Sequence, residues 1–428
     1  AQKKYDKALE CYETIKKELM QICDMIKNKE IYENLGAKLP HGILLHGEPG
    51  LGKSLMAKCF IEESGLKTYT VRRNKGTDDF MKEITETFER AKENTPAIVF
   101  LDDMDKFANE DEKRCDAEEY VAIQSGIDNV KESEVFVIGT ANNVRKLPES
   151  LTRSGRFDRK ILIPLPTSDD SYKIIKHYLK GKKVSDDINI EDIAMMIQHT
   201  SCAELETVLN EAAILAAYSR RNSISTKDIV DTVLRMKYDA PDNFVKTSED
   251  TTRKVAIHEA GHLVMCEVLC PGSIGIASIR SREGHSKGGF VRKCRELDRR
   301  PFEILVSLAG KAAVEMYYAD TRASGCQSDL SMAADQIRTA VGQSCTNGFE
   351  FMDVETRFSV SMSQNLNSRV EAIIHSELER YLFKARDTLI KNKEFLEKAT
   401  DMLIEKETLL HSDIRALRES VTITEVFI

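Results

Sequence analysis

The amino-acid sequence predicts an α/β domain, with a parallel sheet and flanking helices, followed by a mostly α-helical domain. Three observations predict this fold class. A glycine-rich loop at residues 47–54 lies between an apolar run and a helical pattern. Apolar residues recur at helical spacing from Ser171 onward, and the helical pattern at 252–269 carries two histidines four positions apart. We expect a large α/β subdomain at 1–166, a small helical subdomain at 167–240, a linker at 241–250 and the second domain at 251–428.

Length and charge exclude several classes of protein. A chain of 428 residues is too long for one ordinary core, and roughly two or three domains are expected. The net charge of −8, with basic residues scattered among acidic ones, argues against a nucleic-acid-binding surface. No apolar run approaches the ~18–20 residues that span a bilayer. The chain starts at Ala1 and not at Met, so membrane contact through upstream sequence is left open.

The ten cysteines indicate a reducing compartment. They show no CxxC pair and no disulfide-scaffold spacing, which is typical of a cytosol-facing protein. Cys266 and Cys270 follow the second histidine at helical spacing, so their thiolates could serve a metal there. The alternative, which we favour, is that both pack as small hydrophobic side chains.

The loop at residues 47–54 has the chemistry of a phosphate-binding loop. The strand-like run Ile43–Leu45 precedes it and a helical pattern follows, which is the context that the motif requires. Backbone N–H groups of such a loop turn toward phosphates, and the helix N-terminus favours negative charge. We expect Lys53 to contact the β- and γ-phosphates and Ser54 to bind Mg²⁺; the alternative is a glycine turn beside a basic residue. The expected nucleotide contacts are Gly47, Glu48, Pro49, Gly50, Leu51, Gly52, Lys53 and Ser54.

Two further apolar runs are expected to be strands of the same sheet. The run Ala97–Leu101 ends in Asp102 and Asp103, and an acidic residue at this end of a buried strand can hold Mg²⁺. The run Val135–Thr140 leads to Asn142, whose amide can orient the attacking water or sense the γ-phosphate. Either run alone could be plain core, but after a phosphate loop, in this order, we favour the functional interpretation.

A third motif follows these strands. Leu151–Arg159 resembles the second region of homology of AAA ATPases, and Leu35–Gly42 resembles the run before the phosphate loop in the FtsH branch of that superfamily. In that family the arginines matching Arg153 and Arg156 are fingers that reach a neighbouring subunit's nucleotide, where a guanidinium stabilises γ-phosphate charge. The resemblance therefore implies a closed ring, a homohexamer. The alternative is a surface arginine pair.

The helical pattern after Ser171 resembles the small lid of AAA modules. Ala203–Leu205 stands where the family carries a nucleotide-sensing Gly-Ala pair, and Cys202 replaces the glycine. The resemblance thus implies a P-loop AAA module, a parallel sheet with flanking helices plus a helical lid.

The helical pattern Thr252–Leu269 carries the residues of a zinc hydrolase. His258 and His262 lie on one face of a helix and can share a metal ion. Glu259, about 100° around the helix from His258, can act as general base for water activated by the metal. Because such a motif arises by chance on the order of once in a hundred such chains, a chance amphipathic helix is the alternative.

A catalytic zinc ion also needs a third protein ligand and an open position for water. Ala323–Leu330 resembles the FtsH-family peptidase segment that supplies an aspartate after a turn of small residues, which implies Asp329. Glu315, in a stretch matching the helix before that turn, is the competing ligand. We favour Asp329 and expect Glu315 to orient a ligating histidine. Asp320 and Asp335 are expected to be solvated.

Two predictions concern the rest of the second domain. The alternating, glycine-rich stretch Ser278–Val291 predicts a short hairpin or edge strand, which could align an extended substrate by strand addition. Beyond Val370 we expect helix to about Arg418. Thr408–Ile414 resembles the closing helical turn of the peptidase family, with His411 in a structural role.

The resemblance covers nearly the whole chain but departs from the family in three places. Asp103 stands where the family has a water-activating glutamate, so its carboxylate is retracted by about 1.5 Å and we expect slow ATP hydrolysis. The aromatic pore loop is missing. Lys75–Lys82 offers only Phe80 and Met81, which either grip substrate or begin the core of a helix. Ala8–Cys11 stands roughly where the adenine-contact stretch would be.

The motifs together predict an ATP-dependent zinc metalloprotease that unfolds and degrades proteins in a ring assembly, with Zn²⁺, ATP and Mg²⁺ as cofactors. The expected fold is an AAA module followed by a mostly α-helical zinc metallopeptidase domain. One alternative is a zinc peptidase with a slow or degenerate ATPase, whose nucleotide binding mainly organises the ring. A second is a non-proteolytic AAA remodelling or scaffold protein, against which the intact zinc residues argue. The expected catalytic residues are Glu259, Asp103, Asn142, Arg153 and Arg156.

Overall fold

The computed structural model describes residues 12–73, 76–108, 117–240, 248–280, 288–295, 300–318, 326–342 and 364–425. The chain forms two compact units, Ala1–Gly181 with His199–Asn210, and Lys182–Gln198 with Glu211–Ile428. The segment 167–240, predicted as a lid, is therefore shared between the two units, and the predicted segment boundaries stay predictions.

The first unit is built around a five-stranded sheet in which every pairing is parallel. Its spatial order is β2-β3-β4-β1-β5. The strands are β1 (Gly42–His46), β2 (Lys67–Val71), β3 (Ala97–Leu101), β4 (Val135–Ala141) and β5 (Arg159–Leu162). The helices are α1 (Glu13–Lys27), α2 (Lys29–Glu33), α3 (Lys53–Ser64), α4 (Thr77–Glu93), α5 (Glu118–Val130), α6 (Glu149–Thr152) and α7 (Ser168–Leu179).

Helices cover both faces of this sheet, which explains why its central strands are apolar throughout. Leu44 and Val99 pack on one face with residues of α4 and α5. Ile43 and Ile98, each one position earlier, pack on the other face with residues of α1 and α3. Because β1, β4 and β3 are neighbours, the loops that follow these three strands meet at one edge of the sheet.

Phe80 belongs to this core. Its side chain is fully buried in α4, and its ring meets the Phe107 ring edge-on at a centroid distance of 5.1 Å. The core alternative for Phe80 is therefore confirmed and the substrate-gripping one is wrong. Lys75, at the start of that predicted stretch, lies outside the described residues, as does Ala8–Cys11.

The second unit is mostly helical and has one small antiparallel sheet in the order β7-β6-β8. The strands are β6 (Ile274–Ser278), β7 (Phe290–Lys293) and β8 (Thr408–Leu410). The helices are α8 (Ile190–Met196), α9 (Cys202–Tyr218, which starts in the first unit), α10 (Thr226–Tyr238), α11 (Glu249–Leu269), α12 (Arg300–Tyr317), α13 (Gln327–Gly342), α14 (Gln364–Lys391), α15 (Lys393–Lys406) and α16 (His411–Glu419).

Helix α11 runs through the middle of the core of this unit. Its buried residues include Ala260 and Leu263, which share a cluster with Leu305 of α12 and Phe395 of α15. A helix buried on most of its surface can hold polar side chains only where they have partners, so its histidines and acids are placed for a reason other than solvation.

The predicted hairpin is confirmed, because β6 and β7 pair antiparallel, with β7 at an edge of the described sheet. The helical expectation for Thr408–Ile414 is wrong at its start. Residues of β8 pair with β6 and complete the small sheet before α16 begins. Among the described residues, no helix is long and apolar enough to cross a membrane. The α/β module followed by a mostly helical domain is confirmed.

Candidate metal centre and nucleotide site

Three predicted metal ligands come together between α11 and α13. His258 Nε2 lies 3.1 Å from Asp329 Oδ2 and 3.0 Å from His262 Nε2. His262 Nε2 lies 3.6 Å from the same Asp329 oxygen. Their ligand atoms all lie within 4.8 Å of one another, the one such group of three or more among the described residues. Two imidazoles and a carboxylate are a donor set typical of catalytic zinc.

Each histidine is held by a second contact on the side away from the other ligands. His262 Nδ1 donates to the Val306 carbonyl of α12 at 2.7 Å, which leaves Nε2 for a metal. His258 Nδ1 lies 3.9 Å from the Cys326 thiol. Gly310 lets α12 pass close by, since a Cβ there would lie 2.5 Å from His258 Cε1 and from His262 Nε2.

The electrostatics of this cluster favour a cation. Burial opposes ionisation of Asp329, but its hydrogen bonds with His258 and His262 outweigh burial and hold its pKa well below the usual range. Burial likewise lowers the pKa of His258, and the contact with Asp329 more than offsets this and raises it. The anionic carboxylate of Asp329 thus favours a proton on His258. A divalent metal ion takes the place of such a proton when it binds.

Glu259 lies beside these ligands on the same helix. It is only 4% exposed, and burial raises its pKa although the neighbouring histidines act in the opposite direction. Its carboxylate accepts a hydrogen bond from the backbone N–H of Gly289, which directly precedes β7. The edge strand is therefore anchored next to the predicted general base. A carboxylate with a raised pKa accepts a proton readily near neutral pH.

The expectation that Glu315 orients a ligating histidine is wrong. Its carboxylate lies 2.8 Å from the Arg386 guanidinium of α14 and 2.6 Å from the Lys311 ammonium. Two cations hold it within the helix packing, and the contacts to the histidines are made by Val306 and Cys326 instead.

The other residues expected to be bystanders have ordinary surroundings. His411 is buried and its Nδ1 donates to the Ile274 carbonyl at 2.7 Å, a structural contact. The Asp335 side chain is 70% exposed, as expected for a solvated residue. Cys266 is fully buried and burial raises its pKa, so it packs as a small apolar side chain. Asp320 lies outside the described residues, and Ala323–Leu330 is described only from Cys326 onward.

The predicted phosphate loop joins β1 to α3. Gly50 has a φ of +78°, which residues with a side chain rarely adopt. Lys53 is 4% exposed, and its ammonium donates to the carbonyls of Gly47 at 2.9 Å and Glu48 at 2.6 Å. Burial lowers the pKa of Lys53. The lysine thus bonds its own loop, and phosphate oxygens would take over these contacts.

The expected magnesium ligands meet at the edge of the sheet. Ser54 Oγ donates to Asp102 Oδ1 at 2.6 Å, and Thr140 of β4 donates to the same oxygen at 2.8 Å. The Asp103 N–H donates to Thr140 Oγ1 at 2.9 Å. A hydroxyl and a carboxylate at the mouth of a phosphate loop fit Mg²⁺. Thr140 was missed as a site residue, because threonine at the end of a strand gives no sequence signal.

Asp103 adopts an unusual conformation. Its φ is +59°, in the left-handed region that aspartate tolerates better than most residues. Its carboxylate lies 2.9 Å from the Lys106 ammonium and 3.9 Å from the Arg72 guanidinium. Asn142 lies nearby, where its N–H donates to Asp105 Oδ1 at 2.9 Å. It lines a cleft of about 380 Å³ beside the phosphate loop.

The two predicted arginine fingers differ in their surroundings. Arg153 is exposed to solvent. The Arg156 side chain is only 9% exposed and donates to Asp128 at 2.7 Å, to the Ser150 carbonyl at 2.6 Å and to Gln124 at 3.0 Å. Arg156 is thus held within its own chain. The finger role of both arginines stays a prediction.

The beginning of α9 packs on the phosphate loop. The Ala203 N–H donates to the Gly50 carbonyl at 3.1 Å, so Ala203 lies where a nucleotide-sensing residue was expected. Tyr12 Oη donates to the Pro164 carbonyl at 3.2 Å and lies 3.9 Å from Cys202 Sγ. Tyr12 carries no motif, so sequence reasoning did not place it beside the start of α9.

Comparisons with known proteins match the two segments of the chain that contain these sites. Residues 43–165 match the AAA family (ATPase family associated with various cellular activities), and residues 245–417 match peptidase family M41. The chain is 30% identical, over 94% of its length, to the ATP-dependent zinc metalloprotease FtsH of Leptotrichia buccalis, of which it covers 55%. It is 28% identical over 95% of its length to FtsH 3 of Symbiobacterium thermophilum, covering 70% of that protein. It is 29% identical over 95% of its length to the chloroplastic FTSH 2 of Arabidopsis thaliana, covering 63%.

Proposed function

Because the chain belongs to the FtsH family, in which an AAA module precedes a peptidase family M41 domain, we propose that it is an ATP-dependent zinc metalloprotease. It spans a little over half the length of the first of these relatives, so the activity proposed is that of the two domains present. The observation that carries the proposal is the convergence of His258, His262 and Asp329 beside the buried Glu259. The family implies Zn²⁺, ATP and Mg²⁺, and the residues present fit all three.

The proposed chemistry divides between the metal and the residues around it. Zinc, when bound, supplies the Lewis acid that activates water toward a peptide carbonyl. Glu259 accepts the proton from the attacking water and then donates it to the nitrogen of the leaving amine. Burial raises the pKa of Glu259, which brings its affinity for that proton closer to the working pH. The edge strand β7 would align an extended substrate by main-chain hydrogen bonds next to this carboxylate.

The proposed nucleotide chemistry uses the first unit. Lys53 would contact the β- and γ-phosphates, with Ser54 and Asp102 on Mg²⁺ and Asn142 toward the attacking water. Arg153 is exposed, whereas Arg156 is held by contacts within its own chain, so we assign Arg153 first to the finger role in a neighbouring copy. A finger supplied in trans requires a closed ring, for which six copies is our proposal. Arg156 can join it only if assembly breaks its contacts to Asp128.

A second candidate function is a zinc peptidase whose ATPase is slow and mainly organises the ring. Asp103 favours it, because the short carboxylate is paired with Lys106. Phe80 favours it too, since its burial leaves no exposed aromatic side chain in the described part of the predicted gripping stretch, residues 76–82. The metal centre is the same in both candidates.

Proteolysis of an unfolded substrate separates the candidates. Casein degradation by the zinc-loaded chain should be abolished by a chelator and should rise on addition of ATP. Glu259→Gln should lower the rate by about 10²–10⁴-fold, because it removes the base while keeping the shape of the side chain. Cleavage that a chelator abolishes, at a rate that ATP does not change, would support the second candidate. Absence of cleavage by the zinc-loaded protein would contradict both.

A further inference from the structure

The edge strand β7 makes few main-chain contacts of its own. It consists of the four residues Phe290–Lys293 and pairs with β6 alone among the described strands. Its register against β6 shifts between Ile274 and Ile276, so the ladder of hydrogen bonds between the two strands is interrupted. Because a short strand with an interrupted ladder gains little from pairing alone, side-chain contacts are needed to fix β7 in place.

Tyr238, the last residue of α10, supplies such a contact. Its ring lies 4.7 Å from the Phe290 ring, measured between centroids, with an angle of 37° between the ring planes. The Arg292 guanidinium lies 5.6 Å from the ring centroid of Tyr238 and 6.0 Å from that of Phe290. Phe290 and Arg292 are two positions apart, so they lie on one face of the strand. Ring stacking and cation–π attraction therefore both hold this face of β7 against Tyr238.

Tyr238 is itself firmly held. It is 6% exposed, and its hydroxyl donates to the Met196 carbonyl at the end of α8 at 3.0 Å. Burial raises the pKa of Tyr238 to about 12, so the hydroxyl keeps the proton that it donates. The neighbouring Met195 carbonyl oxygen lies against Gly275 of β6, where a Cβ would be only 2.1 Å away. The end of α8 therefore fixes both Tyr238 and the strand with which β7 pairs.

The first residues of the edge strand lie beside the predicted general base. Gly289 directly precedes Phe290, and its N–H donates to the Glu259 carboxylate. The approach is close, since a Cβ on Gly289 would lie 2.7 Å from Glu259 Cγ and 2.2 Å from the Ser278 carbonyl oxygen. A displacement of Phe290 would therefore also move Gly289 relative to Glu259.

We propose that Tyr238 is a positioning residue for peptide cleavage: it holds β7 where the Gly289 N–H meets Glu259 and where the strand can pair with an extended peptide. The proposal rests on the proposed protease function, in which β7 aligns the substrate. Without the Tyr238 ring, β7 is ordered only when a peptide pairs with it. Part of the free energy of peptide binding is then used to order the strand, so KM rises.

Hydrogen–deuterium exchange of the zinc-loaded chain tests whether Tyr238 holds the strand. Tyr238→Leu removes the ring and should raise the exchange rate of residues 288–294 at least about tenfold. Tyr381→Leu is the matched control, because Tyr381 is also buried, at 7% exposed, and has the Arg380 guanidinium 4.7 Å from its ring centroid, but lies on α14. This control should leave the exchange of residues 288–294 unchanged. Wild-type exchange in Tyr238→Leu, or an equal rise in both variants, would overturn the proposal.

Cleavage of a short fluorogenic peptide tests whether this contact serves the reaction. In Tyr238→Leu the KM should rise at least about tenfold while kcat changes by less than about threefold, because bound peptide restores the order of β7. Zinc affinity should stay at the wild-type value, which separates a loosened strand from a damaged metal centre. Faster exchange of residues 288–294 together with a wild-type KM would contradict the positioning role.

A second pair of variants keeps the test decisive if Tyr238→Leu does not fold. Arg292 and Arg295 are both exposed. Arg292→Ala removes the guanidinium from the two rings and should raise both the exchange of residues 288–294 and the KM by several-fold, whereas Arg295→Ala should change neither. Wild-type exchange and KM in Arg292→Ala would then contradict the proposal. A wild-type chain that cleaves no peptide would contradict the proposed function and the positioning role with it, whereas unchanged exchange in the variants would contradict the positioning role alone.

Discussion

In the metal centre the ligand atoms of His258, His262 and Asp329 already converge, within 4.8 Å of one another, whereas the functional groups of the nucleotide site bond one another or their own loop. Lys53 donates to loop carbonyls and Ser54 to Asp102. Each histidine of the metal centre, by contrast, is fixed from behind by a contact that leaves its Nε2 directed toward the other ligands.

The difference concerns preorganisation. A metal entering the first site displaces protons and moves few side chains, so most of its binding free energy appears as affinity. A nucleotide entering the second site must break hydrogen bonds of Lys53 and Ser54 before it gains its own. Substitutions in the metal centre are therefore expected to lower metal affinity strongly. Nucleotide affinity is expected to depend on how easily the residues of the nucleotide site give up the hydrogen bonds that they make with one another.

Removing the third ligand should have the largest effect. Asp329→Asn takes away the anion that both histidines face, and zinc affinity should fall by more than about a hundredfold, beyond what loss of an outer contact causes. Competition with a chromophoric chelator measures it. Because zinc must displace the proton that Asp329 holds on His258, whose pKa is raised, affinity in the wild type should also rise with pH.

Glu315→Gln is the matched control for that substitution. Its carboxylate pairs with Arg386 and Lys311, so zinc affinity should stay at the wild-type value. If Glu315→Gln weakened zinc as much as Asp329→Asn does, the assignment of the third ligand would be wrong.

Lengthening Asp103 should have the next largest effect, and in the opposite direction. In Asp103→Glu the side chain is one methylene longer, so its carboxylate can reach past Lys106, with which Asp103 is paired. ATP turnover should then rise by up to about a hundredfold. The left-handed φ of +59° works against the longer residue, so this figure is an upper bound. Asp103→Asn should lower turnover below wild type. Brisk wild-type turnover with no gain in Asp103→Glu would show that the shorter carboxylate is sufficient.

Much of both sites could be predicted because their chemistry is local in the sequence. A phosphate loop and two histidines one helical turn apart each lie within a few consecutive residues, and the strands around the loop are continuous apolar runs. Asp329 is 71 positions from His258, so only the family resemblance indicated it.

What could not be predicted are pairings between distant residues. Glu315 pairs with Arg386, 71 positions away, and Arg156 with Asp128, 28 positions away. A sequence shows that such residues are charged but not which opposite charge faces them after folding. Phe80 posed the same difficulty, because an aromatic residue at the start of a helix can face the core or solvent until the packing of Phe107 decides it.

The thiol behind His258 should have a moderate effect on the metal centre. Cys326→Ala removes the contact to His258 Nδ1, and zinc affinity should fall by about tenfold, while the thermal midpoint of the zinc-free chain stays the same. Cys326→Ser, whose hydroxyl can accept the same N–H, should recover much of the affinity. Equal affinities in the two variants would show that the thiol only fills space.

Asp128→Asn should have the smallest effect and tests whether Arg156 is committed to its own chain. The hydrogen bond from Arg156, with a contribution from Lys131, lowers the pKa of Asp128 to about 2. An unfolded aspartate titrates near 3.9, so this pair stabilises the fold above about pH 4 and loses its effect as the pH falls toward 2. Because the Asp128 side chain is 40% exposed, the effect should not exceed about 1 kcal/mol.

The thermal midpoints of wild type and Asp128→Asn should therefore differ at pH 7 and converge near pH 2. Repeating the pH 7 measurement with ATP and Mg²⁺ sharpens the comparison between the two sites. If Arg156 stays with Asp128, the difference between the midpoints persists when nucleotide is present. If assembly around nucleotide draws Arg156 into a neighbouring subunit's site, the difference disappears. The nucleotide site is then completed only after Arg156 has given up its contact with Asp128.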